Sequence, residues 1–152
     1  MNIKAILTIL IITLISCAHQ KEPQVANPNP IIGTWELISS TTIQGDSFEQ
    51  TDLTDKKMIK IINETHFAFL NHDINQEADS LNYFVSGGGK YELTGNQYTE
   101  FLEYCNYREW EGNKFEFTVE IHGDTLTQEG IEKIEELSVD RKIIETYLKT
   151  KN

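Results

Sequence analysis

From position 31 onward, apolar and polar residues alternate with a period of two far more often than with the 3.6-residue period of a helix. The clearest run puts Phe115, Phe117, Val119 and Ile121 on one face and Lys114, Glu116, Thr118 and Glu120 on the other. Similar runs predict strands over residues 32–39, 58–62, 66–70, 81–85, 90–94, 97–105, 125–128 and 142–149. The connections at 63–65, 94–96 and 122–124 are too short for crossover helices, so the strands they join must be antiparallel. Strands in hairpin succession make an up-and-down meander, and closing the meander removes its exposed edges. The expected fold is therefore all-β, an antiparallel up-and-down β-barrel of about 8–9 strands. Two stretches depart from the alternation. Residues 41–56 are polar and suggest a flap or short helix. Residues 131–141 carry Ile131, Ile134 and Leu137 at helical spacing, which predicts a short helical or irregular segment outside the barrel or over one end.

The strand at 97–105 sets a packing problem. Strict alternation puts Tyr98, Glu100, Leu102 and Tyr104 on one face and Thr99, Phe101, Glu103 and Cys105 on the other. No regular register leaves both glutamates outside. A buried carboxylate has to be paired or protonated. Glu100 is the better inward candidate, because the two tyrosines on its face can donate hydrogen bonds to it. Glu145, Arg141 and Tyr147 on the closing strands are further candidate partners. Glu103 is then solvated, with Phe101 covered by the flap or by residues 131–137.

The first sixteen residues follow another pattern. Lys4 precedes an apolar run over 5–15, about half of what a membrane-spanning helix needs. The run ends in Leu14-Ile15-Ser16-Cys17, which resembles a bacterial lipobox, whose cysteine receives a lipid. The expected organisation is a signal peptide over 1–16, a tether over 17–30 holding Pro23, Pro28 and Pro30, and a barrel domain over 31–152. Removing sixteen residues from 152 leaves 136, with 24 acidic side chains against 12 basic ones once Lys4 is gone. So acidic a surface repels nucleic-acid phosphates and anionic headgroups, which excludes a nucleic-acid partner and leaves lipidated Cys17 as the membrane contact. The implied location is the bacterial cell envelope, lipid-anchored at the outer membrane and facing the periplasm or the surface.

Several candidate chemistries fail on inspection. Two cysteines exclude a disulfide scaffold, and with Cys17 acylated Cys105 reads as a small buried hydrophobe. Asp73, Asn75, Glu77 and Asp79 alternate like calcium ligands, but Ala78 and Phe84 stand where an EF-hand needs glycine and glutamate. His66 and His72 lack the further ligands of a zinc site. Gly87-Gly88-Gly89-Lys90 is followed by Tyr91 and not by the Ser or Thr of a phosphate loop, so it reads as a bulge or bend at a barrel corner. Glu100 and Glu103 would catalyse acid–base chemistry only by facing one another across a substrate. No catalytic residue, metal or cofactor is expected.

Ile32-Gly33-Thr34-Trp35-Glu36-Leu37 resembles the Gly-x-Trp signature that opens the first strand of lipocalins and their relatives. With 60–67, 87–91, 98–104 and 144–149, the chain resembles the bacterial lipocalin-like lipoproteins in particular. The resemblance implies that Gly33 turns the chain into the barrel and that Trp35 closes its narrow end. It also implies an interior ligand site, for which Tyr98, Glu100, Tyr104, Phe115, Phe117 and Tyr147 are the candidate contacts. Where it implies an arginine near the tryptophan, Lys149 stands instead, with Arg141 further back. A lysine does not reproduce a planar guanidinium contact. The expected function is binding of a small apolar or amphipathic molecule by a lipid-anchored extracytoplasmic barrel that is not an enzyme. The alternative is an interaction module of the cell envelope, in which the fifteen aromatic side chains fill the barrel and loops engage an unspecified protein partner.

Overall fold

The computed structural model describes residues 29–74 and 83–151. The expected signal peptide, Cys17 and nearly all of the tether lie outside the described residues, as does most of the acidic loop after Asp73. Nine strands follow one another: β1 Gly33–Gln44, β2 Ser47–Gln50, β3 Lys56–Ile62, β4 His66–Asp73, β5 Phe84–Thr94, β6 Gln97–Cys105, β7 Lys114–His122, β8 Thr125–Ile134 and β9 Val139–Lys149. Every pairing is antiparallel. β1 pairs with β3, each later strand pairs with the next, and β9 returns to β1, closing an eight-stranded barrel with β2 as an extra strand on β1.

Of the two forms expected for residues 41–56, the chain takes the flap, an exposed hairpin, and not the short helix. The β-branched Thr41, Thr42 and Ile43 extend β1, and the chain folds back as β2 through a turn at Gly45, whose φ is 58°. Residues 131–141 are likewise mostly strand. β8 runs on to Ile134, β9 begins at Val139, and the helical part is one 3-10 turn, Glu135–Leu137, ended by Ser138 in the left-handed region. The three glycines meet the expectation of a bulge, since the register with β6 shifts between Gly88 and Gly89, but not that of a corner between strands. They lie inside β5, where Gly88 and Gly89 are buried.

Strand direction places Ile31, the β3–β4, β5–β6 and β7–β8 turns and Lys149 at one end. This end is filled. Ile31, Trp35, Ile62, Tyr98, Leu126 and Tyr147 are among its largest fully buried side chains. Trp35 donates its indole N–H to the Ile31 carbonyl at 2.8 Å. The Lys149 ammonium lies 4.9 Å from the centroid of the Trp35 ring, so lysine supplies the cation over this indole without a guanidinium plane. A Cβ on Gly33 would sit 2.6 Å from Lys149 Cε, and Gly33 has φ 151°, so glycine serves both space and backbone there.

One irregularity decides what faces inward. Between β5 and β6 the register steps from Gly88↔Tyr104 to Gly89↔Leu102, leaving Glu103 as the extra residue of a β-bulge. Alternation therefore shifts by one after Leu102. Tyr104, expected inside with Glu100, points outward and is 67% exposed, while Cys105 turns in.

Candidate functional site

The half of the barrel away from Trp35 is hollow. A cavity of about 450 Å³ opens there, within the usual range for small-molecule sites. Its walls are mostly apolar, with Met58, Phe69, Leu102, Phe115, Phe117 and Ile143. Tyr83, Tyr107, Glu109 and Trp110 also line it, and Trp110 belongs to a single 3-10 turn, Arg108–Trp110, between β6 and β7. Trp110 packs its ring 6.1 Å from that of Phe115 and carries the Arg141 guanidinium 5.6 Å from its centroid. Arg141 in turn pairs with Glu132 at 2.6 Å.

The floor is polar and built from four strands. Lys60 of β3 donates at 2.8 Å to Glu100 Oε1 of β6 and at 2.8 Å to Gln128 Oε1 of β8. The Lys60 and Glu100 side chains are only 3% and 8% exposed, a buried ion pair whose desolvation has to be offset by further partners. The Gln128 oxygen is one of them. Aromatic faces are others, since the Lys60 ammonium lies 5.4 Å from the Tyr147 ring centroid, 5.9 Å from that of Phe67 and 6.0 Å from that of Tyr98. On β9, Glu145 Oε2 accepts the Tyr147 hydroxyl at 2.7 Å and a longer contact from Gln128 Nε2 at 3.5 Å.

These surroundings shift acidities. Burial raises the Glu145 carboxyl above the usual carboxylate range; the Lys60 charge and the Tyr147 hydrogen bond pull the other way without cancelling it. Burial also pushes the Tyr147 and Tyr98 hydroxyls far above the ordinary tyrosine value, helped by the charges of Glu145 and Glu100 respectively. Both phenols stay protonated at any working pH. The Tyr98 hydroxyl is buried beside Glu100 and feels its charge, but no hydrogen bond of ordinary geometry joins the two. The Glu100 partner is Lys60.

Of the expected ligand contacts, Glu100, Phe115 and Phe117 line the cavity. Tyr98 and Tyr147 are fully buried one alternation step further toward the closed end, where they support the floor. Tyr104 is outside. Gly33 and Trp35 sit at the closed end, remote from the opening. Glu103 is exposed as expected, but Phe101 is covered neither by β2 nor by the Glu135–Leu137 turn; it borders an outer depression with His66, Tyr91 and Glu103. Sequence reasoning missed Lys60, Gln128 and Trp110. Gln128 was accessible by alternation from Leu126. Lys60 was not, because Ile59 and Ile61 mark the opposite face of its strand as the apolar one.

A mostly apolar chamber with a polar, hydrogen-bonding floor suits a molecule with one polar end. No protein-family model matches the chain, and no curated protein matches it.

Proposed function

We propose that this is a lipocalin-like barrel that binds a small amphipathic molecule and is held to the bacterial cell envelope by a lipid on Cys17. The observation that carries the reading is the cavity of about 450 Å³, apolar along its walls and polar at its floor. In this reading it is a binder and not an enzyme, with Glu100 serving as the counter-ion of Lys60. The alternative interaction module starts from a filled barrel, and the hollow half weighs against it. Residues 29–31 enter the barrel at its closed end, opposite the mouth.

The uncharged fluorophore N-phenyl-naphthylamine tests the site. It should bind one molecule per barrel. Cys105→Trp, which fills the cavity with a large side chain, should weaken binding by about tenfold or more, a loss near 1.4 kcal/mol. Tyr104→Ala, on the outer face, should leave it unchanged. No binding by the unmodified protein, or equal loss in both variants, overturns the reading.

A further inference from the structure

The cavity holds more carboxylate than cation. Glu100, Glu109, Glu132 and Glu145 line it against Lys60 and Arg141, an excess of two negative charges. Arg141 is taken by Glu132 and Lys60 by Glu100. Among the described residues Glu145 forms no salt bridge, and no hydrogen bond of ordinary geometry reaches its Oε1 or Glu100 Oε2. Two carboxylate oxygens with acceptor capacity to spare thus sit at the bottom of an aromatic chamber.

We infer that the cavity takes a small organic cation, a protonated primary amine on an apolar body, with its ammonium on Glu145 and its body against Phe115, Phe117 and Trp110. This rests on reading the cavity as a ligand site and names the class of ligand. Glu145 is half-buried in a mostly apolar cavity without a counter-ion of its own, and an incoming ammonium supplies one. Primary ammonium N–H donors match the unfilled oxygens, which a quaternary ammonium would leave unpaired. Aromatic faces attract cations as well as apolar groups. Lys60 already shows the mode within the chain: an ammonium held by a carboxylate, an amide oxygen and aromatic rings. An anionic ligand meets the opposite conditions, net negative lining and a lysine already paired. The net charge of −11 also favours the approach of cations over anions.

The groups acting on Glu145 from the surrounding strands are Lys60, Glu100, Glu132 and Tyr147, and burial outweighs them in raising its carboxyl. The carboxylate form therefore grows as pH rises through that raised range, and amine affinity should grow with it.

The experiment is calorimetric titration of the full chain carrying Cys17→Ala with octylamine, octanol and octanoate, which share a body and differ in charge. Octylamine should bind at least about tenfold tighter than octanol, as expected for a charge-assisted hydrogen bond, and octanoate weakest. Adding Glu145→Gln should remove the amine advantage and spare octanol binding, whereas Glu103→Gln should change neither. Equal affinity for amine and alcohol, or a preference that survives Glu145→Gln, overturns the inference while leaving the cavity reading intact. No binding of any of the three overturns both. Should Glu145→Gln fail to fold by circular dichroism, the unsubstituted floor decides: an octylamine affinity no greater than that of octanol overturns the proposal.

Discussion

Lys60 is 2% exposed in the middle of an interior that a lysine normally avoids, and the residues around it supply the partners that burial takes away. Glu100 supplies the counter-charge, Gln128 an oriented oxygen, and three aromatic rings the remaining shell. Removing one partner of such a pair strands the other. Lys60→Met should cost about 3–5 kcal/mol, because Glu100 is left buried and uncompensated. Lys60→Met with Glu100→Leu should recover most of that loss, since a similar volume then carries no charge. Urea melts of the single and double variants measure the difference, and equal losses would show that the pair does not govern this site. That Glu100 turns inward was legible from alternation with Tyr98 and Leu102. That its partner is Lys60 was not, because Ile59 and Ile61 make the opposite face of that strand read as the inner one.

At the scale of elements, the bulge in β6 depends on its neighbour. A Cβ on Gly89 would collide with the Phe101 carbonyl oxygen, so the two backbones approach as they do only because β5 has no side chain there. Gly89→Ala should therefore destabilise by about 3 kcal/mol, at the top of the range for overpacking. Gly112→Ala is the control. Nothing lies within 4 Å of its missing Cβ, and only its φ of 82° opposes a side chain, a penalty of about 1–2 kcal/mol. Thermal melts giving the two variants equal losses would mean that β5 relaxes around the added methyl group. The bulge sends Tyr104 out and Cys105 in, yet nothing in residues 97–105 announces it. Its cause lies in the sequence of the adjacent strand.

For the whole molecule, closure joins the first and last strands of the barrel, with Trp35 opposite Lys149 at the end where the chain enters. A lipid at Cys17 would hold the protein to the membrane. Cys17→Ala should therefore move the protein from the membrane pellet to the soluble fraction or block its processing. A processed variant that still sediments with membranes in high salt would show that some other feature holds it there. Period-two patterning and short turns are local properties, and from them the sequence by itself determined an all-β chain, the antiparallel succession of its strands and the inward turn of Glu100. Tertiary structure alone decided that half of the barrel is hollow. A cavity is the difference between the volume a closed sheet encloses and the side chains pointing into it, and both depend on register and on bulges set between strands. Closure likewise brings residues 60, 100, 128 and 145 from four strands onto one floor, a meeting that no stretch of the sequence contains.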